Sequence, residues 1–271
     1  MAAGADRDFS GAVAQIYDQL LVPLIFQAYA NDLSHRVEEL EPRNVLEIAA
    51  GTGVVTRVLA SRLPDGTRVV ATDLNEPMLN YAKAKQAPGG AVEWRHADAL
   101  SLPFEDNAFD VVVCQFGAMF FPDKVKAFGE ARRVLKPGGH FVFSVWDRIS
   151  ENEFADVVTE ALAQRFPDDP PRFMARIPHG YHDVAQIRAE LNGAGFTEVL
   201  TEVVEKTSRA SSPHLVAHAY CQGTPLRAEI ESRDPSGLES ITDHAAIALA
   251  QKFGSGTIEG RIQAIVIIAT R

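Results

Sequence analysis

The sequence has few cysteines and no long apolar run. Its two cysteines, Cys114 and Cys221, lie far apart, so they offer no disulfide framework, and such sparse usage is typical of a reducing compartment. The most apolar stretches, 20–26 and 262–269, are shorter than the roughly 18 residues that a membrane-spanning helix needs. The first residues lack the charged-then-apolar pattern of a signal peptide. These absences predict a cytoplasmic protein, with Cys114 as a buried thiol.

Clusters of basic residues are also missing. The formal net charge is −10, and the densest basic pair, Arg132-Arg133, is isolated. An acidic surface repels the phosphate backbone of nucleic acids. The composition, with 46% hydrophobic and 23% charged residues, is that of an ordinary globular enzyme. The sequence therefore favours a small or neutral substrate over tRNA or DNA.

Short apolar runs alternate with helical segments from residue 44 onward. Five strands are predicted, at 45–49, 68–72, 92–96, 111–116 and 140–146. Nearly continuous apolar strands that alternate with helices indicate a parallel sheet covered on both faces. In such sheets ligands bind beyond the carboxyl ends of the strands. We therefore expect functional residues at those ends.

Helical segments flank this core. Residues 9–40 show apolar positions at a helical period, and Pro23 is predicted to kink or divide the segment. Beyond residue 146, two helices and two further strands are predicted at 151–166, 183–191, 196–206 and 261–270. A helical insert at 212–253 separates the last two strands.

The first strand leads into a loop of small residues at 47–53, with the sequence Glu-Ile-Ala-Ala-Gly-Thr-Gly. Small side chains at Ala49, Gly51 and Gly53 allow a tight turn and close approach of a ligand. The N-terminus of the following helix offers N–H groups to a carboxylate or phosphate. The pattern predicts a nucleotide or nucleoside site, and a plain strand-to-helix turn is the alternative.

Acidic residues at three strand ends discriminate between nucleosides. Asp73 follows Gly51 by 22 residues, close to the spacing of a carboxylate that binds ribose, although a helix N-cap or a turn residue is the alternative. Glu47 accepts a hydrogen bond from an ammonium but would repel a pyrophosphate. Asp98 is able to accept a hydrogen bond from an adenine amino group. Because Thr56 stands where a dinucleotide fingerprint has its third glycine, the set favours an adenosyl cation, S-adenosylmethionine, over NAD.

Four segments in order resemble class I S-adenosylmethionine-dependent methyltransferases, and within them the ubiquinone/menaquinone-biosynthesis-like small-molecule branch. The segments are 45–53, 71–79, 97–110 and 135–139, and Ala194-Gly195-Phe196 precedes the sixth strand. The resemblance implies an α/β fold with a Rossmann-like, doubly wound, seven-stranded sheet. The implied strand order is 3-2-1-4-5-7-6 with strand 7 antiparallel.

The same resemblance implies a methyl transfer to a small-molecule acceptor on an O, C or N atom. It implies a single methyltransferase domain over 1–271. In that domain 9–40 would be an N-terminal helical cap and 43–146 the cofactor-binding core. The segments 147–182 and 207–255 would be inserts that shape the substrate pocket. By resemblance, 135–139 would be a turn into strand five.

The resemblance places twelve residues around the cofactor: Tyr17, Glu47, Ala49, Gly51, Gly53, Asp73, Leu74, Met78, Asp98, Ala99, Gln115 and Phe116. The methionine part would lie against Ala49, Gly51 and Gly53, with its ammonium near Glu47. Asp73 would bind the ribose hydroxyls. The adenine would contact Leu74, Met78, Asp98 and Ala99. The sulfonium would lie near Gln115 and Phe116, and Tyr17 would close over the cofactor. Many relatives have glycine where this chain has Ala49, which narrows the backbone freedom there without abolishing binding.

The residues that would bind and activate the acceptor are not identified by these motifs. Methyl transfer mainly requires alignment of the two reactants, and a base is needed only where the acceptor holds a proton. His179 and His182 are the candidate bases, although His182-Asp183 is also typical of a helix cap. His214 and His218 would share a helix face, but with no evident third ligand the sequence predicts no metal site.

Two other functions fit part of the pattern. One is an NAD-dependent oxidoreductase, which Thr56, Glu47 and the lack of a Tyr-x-x-x-Lys pair after strand four disfavour. The other is a non-catalytic protein that binds S-adenosylmethionine or another nucleoside, which the sequence does not separate from an enzyme. The acceptor, the methylated atom and the oligomeric state stay open.

Overall fold

A computed structural model describes residues 12–86 and 92–271. Its sheet has seven strands: β1 (Asn44–Glu47), β2 (Arg68–Asp73), β3 (Val92–His96), β4 (Phe109–Gln115), β5 (Leu135–Trp146), β6 (Glu198–Ala210) and β7 (Ile258–Thr270). The order across the sheet is β3-β2-β1-β4-β5-β7-β6. The predicted seven-stranded Rossmann-like arrangement is confirmed.

Strand direction follows the prediction as well. β1 pairs in parallel with β2 and with β4, β2 pairs in parallel with β3, and β4 pairs in parallel with β5. Between β5 and β7, Gly138 N donates to Arg271 O and Asp147 N donates to Gln263 O. Residue numbers therefore rise along β5 while they fall along β7, so β7 is the antiparallel strand.

The helices of the described residues are α1 (Ala12–Ile16), α2 (Gln27–Glu38), α3 (Val54–Arg62), α4 (Glu76–Ala84), α5 (Lys124–Val134), α6 (Glu153–Arg165), α7 (Phe173–Arg176), α8 (Val184–Gly193), α9 (Pro213–Gln222), α10 (Leu226–Arg233) and α11 (Leu238–Phe253). Short 3₁₀ turns occupy Ala118–Phe120 and Ile149–Glu151. The predicted helices are present, and the single turn of α7 was not predicted. No helix in 12–86 or 92–271 has the length and apolarity to cross a membrane.

The N-terminal helix continues through its proline. Between α1 and α2 the chain forms a π-helix over Tyr17–Phe26, with Pro23 inside it. A proline has no N–H to donate, and its ring crowds the carbonyl of the preceding turn. A wider π turn accommodates both effects, so Pro23 reshapes the helix instead of dividing it. Residues 9–11 of the predicted segment lie outside the described residues.

The segment 135–139 is part of β5 and not a turn before it, which corrects the expectation. Phe109 pairs with Leu135 but Val111 pairs with His140, so the extra residues bulge out of β5. Gly138 has a φ of +78°, a value that glycine adopts without strain. Hydrogen bonds with Arg271 keep the bulged segment attached to the sheet.

The chain divides into two compact units. The first comprises the described residues up to Phe26, together with Trp146–Tyr181 and Glu205–Ala264. The second comprises Gln27–Val145, His182–Val204 and Ile265–Arg271. All four segments that carry the family resemblance belong to the second unit. The assignment of one domain over 1–271, with its cap and inserts, stays a prediction.

Aromatic side chains fill the second unit behind β5. The ring of Phe128 on α5 lies 5.4 Å from that of Phe143, and Phe141 stacks on Phe143 at 4.6 Å. Phe196 completes the cluster at 6.1 Å from Phe141. All four side chains are fully buried. This packing fixes β5 beside β4, whose carboxyl end contributes to the candidate site.

Candidate functional site

The loop after β1 is built from left-handed backbone. The φ angles are +54° at Ala49, +56° at Gly51 and +78° at Gly53. Main-chain hydrogen bonds hold the loop, since Ala50 N donates to Thr72 O and Gly53 N donates to Ala50 O, both at 2.9 Å. Alanine in this region is strained by about 1–2 kcal/mol. Such strain concentrates at functional sites.

The two loop glycines serve different purposes. A Cβ atom built on Gly53 would lie 2.8 Å from the Cη2 atom of Trp94 and 3.1 Å from the Cβ of Ala82. Glycine at this position therefore lets the start of α3 pack tightly. A Cβ atom on Gly51 would meet nothing within 4 Å. The space beside Gly51 is open, as the approach of a ligand to the main chain requires.

We expect Ala49→Gly to raise the free energy of unfolding by about 0.5–1 kcal/mol. Relief of the left-handed strain should exceed the extra conformational entropy that glycine loses on folding. Thermal unfolding of the purified variant measures the change. Ala50→Gly is the matched control, because Ala50 is not at positive φ and should lose stability. A loss of stability in Ala49→Gly as well would contradict the strain argument.

Glu47 is a buried carboxyl group at the end of β1. Its side chain accepts a hydrogen bond from the hydroxyl of Thr56, and its main-chain carbonyl accepts one from the hydroxyl of Thr72 at 3.0 Å. Burial raises the pKa of Glu47 to about 8, the Thr56 hydroxyl opposes that rise, and the nearby Asp73 adds to it. A ligand cation at this position would favour the ionised form.

Asp73 joins the end of β2 to the loop. One carboxylate oxygen accepts a hydrogen bond from Gly51 N and the other accepts one from Asn75 N, each at 2.7 Å. Burial raises the pKa of Asp73, and these two N–H groups oppose the rise. The alternative role as a helix N-cap is wrong, because α4 is capped by Asn75, which accepts a bond from Met78 N.

The residues predicted to surround adenine lie just after β2 and β3, except Met78, which lies in the first turn of α4. Ala99 and Met78 are buried, whereas Leu74 is 48% exposed, unusual for a leucine that directly follows the buried Asp73. Asp98 is exposed, and one of its carboxylate oxygens accepts a hydrogen bond from Leu100 N at 2.9 Å. This edge therefore combines an apolar surface with a carboxylate.

The end of β4 carries a second strained residue. Phe116 has a φ of +52° and donates its N–H to Ser144 O at 3.0 Å. Its ring meets the edge of Tyr29 at 5.4 Å, and the Tyr29 hydroxyl donates to Val204 O at 3.0 Å. Gln115 precedes it and is half-buried. A residue other than glycine thus adopts left-handed backbone just after each of these two strands: Ala49 after β1 and Phe116 after β4.

Two of the predicted site residues belong to the first compact unit. The Tyr17 ring stacks on Phe26 at 4.9 Å. His179 is buried, with Nδ1 2.8 Å from the carbonyl oxygen of Asp147. Since a carbonyl only accepts, that nitrogen carries the proton. The closing role of Tyr17 and the base role of His179 stay predictions.

His182 lies in the second unit and precedes α8. Asp183 caps this helix by accepting hydrogen bonds from Ala185 N and Gln186 N, so the predicted capping role is confirmed for Asp183. In the first unit, the ring of His214 lies 6.2 Å from that of His218. Across the described part of the chain, no group of three or more His, Cys, Asp or Glu is placed to hold a metal ion.

The role of Thr56 was not predicted. In the sequence this residue is only a departure from a glycine pattern, whereas in the structure its hydroxyl is the hydrogen-bond donor to Glu47. The available signal was a hydroxyl in the first turn of a helix that is otherwise apolar on its buried face. The structure brings Glu47, Gly51, Thr56 and Asp73 together through these contacts.

The family comparison agrees with this geometry. A model of the methyltransferase domain matches residues 46–143. Over this segment the chain is similar to methyltransferase domains. It contains the loop 47–53 and the strand ends that carry Asp73, Asp98 and Gln115.

Curated relatives align with the same region. A demethylmenaquinone methyltransferase of Thermus thermophilus is 47% identical over 105 residues, which are 38% of this chain and 47% of that protein. A ubiquinone/menaquinone biosynthesis C-methyltransferase of Enterobacter sp. is 36% identical over 127 residues, 46% of this chain and 47% of that protein. The chain thus spans about half the length of the curated relatives that it matches.

Solved structures of low sequence identity share the fold of the methyltransferase domain. The YcgJ protein from Bacillus subtilis superposes with a TM-score of 0.56 at 20% identity, covering 90% of this chain and 98% of that one. A phosphoethanolamine N-methyltransferase 2 from Haemonchus contortus, solved with S-adenosylhomocysteine, gives a TM-score of 0.59 at 20% identity and covers 98% of this chain and 59% of that one.

Proposed function

We propose that this chain transfers a methyl group from S-adenosylmethionine to a small-molecule acceptor. The observation that carries the proposal is the presence of two buried carboxyl groups at the loop. Asp73 accepts a hydrogen bond from Gly51 N, and the buried Glu47 lies at the start of the same loop. Two carboxyl groups beside an open, left-handed loop suit a ligand with hydroxyl donors at one end and an ammonium at the other.

The side chains around the loop fit each part of S-adenosylmethionine. Asp73 keeps lone pairs beyond its two N–H bonds, and these would accept the ribose hydroxyls. Glu47 would bind the ammonium of the methionine part. The exposed Leu74 offers an apolar surface for the adenine ring, and Asp98 a carboxylate for its amino group. The open space beside Gly51 would admit the methionine chain.

The chemistry asks little of the protein beyond alignment. When bound, the cofactor supplies a methyl group activated by a positive sulfur. The chain's own residues bind and orient the two reactants and exclude water. Where the acceptor is a phenol or an enol, a base must take its proton. We propose His179 or His182 for that step.

The relatives and the net charge support a proposal for the class of acceptor. One aligned relative is named a demethylmenaquinone methyltransferase, and another a C-methyltransferase of ubiquinone/menaquinone biosynthesis. We therefore propose a quinol-like or phenolic acceptor before an amine. The net charge of −10 supports a small acceptor over a nucleic acid. Two buried, unpaired cysteines support action in the cytoplasm.

Calorimetric titration with S-adenosylmethionine and with NAD tests the proposal. We expect micromolar affinity for the first and no binding of the second. Transfer of labelled methyl to a panel of phenols, quinol precursors and amines then identifies the acceptor class, with excess S-adenosylhomocysteine as an inhibited control. Absence of S-adenosylmethionine binding would refute the proposal. Binding without transfer to any panel member would favour the non-catalytic alternative.

A further inference from the structure

We propose that Thr56 is a positioning residue for the amino-acid end of the cofactor, and that its hydroxyl holds Glu47 ready to bind the ligand ammonium. This inference rests on the proposed function, because it concerns the same cofactor. It adds a residue that the binding motifs do not include. It also predicts that this residue affects one part of the ligand and not the rest.

The geometry that carries the inference is a contact between two buried side chains. Thr56 is 1% exposed and Glu47 is 2% exposed. The Thr56 hydroxyl donates to the Oε2 atom of Glu47. Thr56 lies in the first turn of α3 and Glu47 ends β1, so the bond joins the two elements that flank the loop. The carboxyl group is therefore oriented by a fixed donor before any ligand binds.

The charged and titratable groups around Glu47 come from three elements. Asp73 at the end of β2 disfavours a negative charge on Glu47, whereas Arg57 on α3 favours it. Cys114 on β4 is also near, but burial raises the pKa of its thiol to about 12, so it stays neutral through the useful range. Thr56 supplies the largest stabilisation of the ionised form among the groups that act on Glu47. Without that hydroxyl, ionisation of Glu47 should require a higher pH.

Two ligands distinguish an effect of Thr56 on the amino-acid end of the cofactor from an effect on binding of the whole cofactor. S-adenosylhomocysteine carries the amino-acid end, whereas 5′-methylthioadenosine has the same adenosine and thioether without it. We expect Thr56→Val to weaken binding of S-adenosylhomocysteine about tenfold at pH 7, as a rise of one unit in the Glu47 pKa would. We expect binding of 5′-methylthioadenosine to change less than about twofold, because Glu47 would not contact it.

The pH dependence gives a second readout. The ratio of the dissociation constants of Thr56→Val and the wild-type protein should be largest at pH 6 to 7 and should shrink above pH 8. Both proteins bind the same ligand, so titration of the ligand's own amino group cancels in this ratio. Thr56→Ser keeps a hydroxyl and should restore most of the affinity.

Controls make the result decisive. Thr242→Val removes another buried helical hydroxyl, in the first compact unit, and should leave both affinities unchanged. Circular dichroism checks that each variant folds, and Thr56→Ala replaces Thr56→Val if that variant does not. Equal weakening of both ligands, a ratio that is constant with pH, or no weakening would overturn the role of Thr56. Failure of the wild-type protein to bind either ligand would instead show that the proposed function is wrong.

Discussion

Glu47→Gln should make the unliganded protein more stable at pH 8 by about 4 kcal/mol, while weakening its binding of S-adenosylmethionine tenfold or more. The reason for the gain is that burial raises the pKa of Glu47 from an ordinary 4.5 to about 8. A glutamine fills the same space, accepts the same bond from Thr56, and never carries the buried charge. The reason for the loss is that an amide does not attract an ammonium as a carboxylate does.

The sign of the pH effect is fixed by the direction of this shift. Because the pKa of Glu47 is raised in the folded state, that state binds more protons than the unfolded chain between about pH 4.5 and pH 8. The stabilisation from Glu47 is full below that range and is lost as the pH rises through it. The advantage of Glu47→Gln should therefore be near zero at pH 4.5 and largest at pH 8 and above.

Urea unfolding at pH 5 and pH 8 measures this advantage. Glu198→Gln, at an exposed glutamate on β6, is the matched control and should change stability equally at both pH values. An advantage of Glu47→Gln that is the same at both pH values would show that ionisation of the buried group is not its cause. Calorimetry with S-adenosylmethionine on the same samples measures the accompanying loss of affinity.

Asp73→Ala should weaken S-adenosylmethionine binding by about 3 kcal/mol, or roughly a hundredfold. Asp73→Ala removes two favourable interactions, and both losses weaken binding. The ribose hydroxyls lose a charged acceptor, and Gly51 loses the carboxylate that accepts from its N–H at 2.7 Å. The loop therefore loses its attachment to β2 at the same time as the ligand loses its partner.

Calorimetric titration of the Asp73 variant measures this effect. Asp98→Ala is the comparison, since Asp98 is exposed and accepts a local bond from Leu100 N, and its effect should be smaller. A thermal unfolding curve establishes that Asp73→Ala is folded. An affinity equal to that of the wild-type protein would refute the ribose assignment.

The first strands and the place of the loop were predictable because they depend on local patterns, whereas the strand order was implied by the resemblance to class I methyltransferases. β1, β2 and β4 each contain an apolar run, and the loop between β1 and α3 is marked by small residues. The resemblance to class I methyltransferases supplied the antiparallel β7, which no local pattern in 258–270 announces. The apolar runs and the small-residue loop, in contrast, depend on residues near one another in the sequence.

The protonation of Glu47 was not predictable in the same way. The sequence shows a carboxyl group at a strand end, but its raised pKa depends on burial beneath distant elements. The bond from Thr56 depends on the rotation of α3 relative to β1. Likewise, the bulge in β5 at 135–139 depends on hydrogen bonds with Arg271, the last residue of the chain. Tertiary contacts of this kind leave no periodic signal.

The close packing of Gly53 has a spectroscopic consequence. The indole of Trp94 lies where a side chain on Gly53 would stand, so its surroundings change whenever the start of α3 moves. The chain has two tryptophans, Trp94 and Trp146, and Trp146→Phe would leave Trp94 alone. The fluorescence of that single indole would then follow the loop directly, without a label on the protein or the ligand.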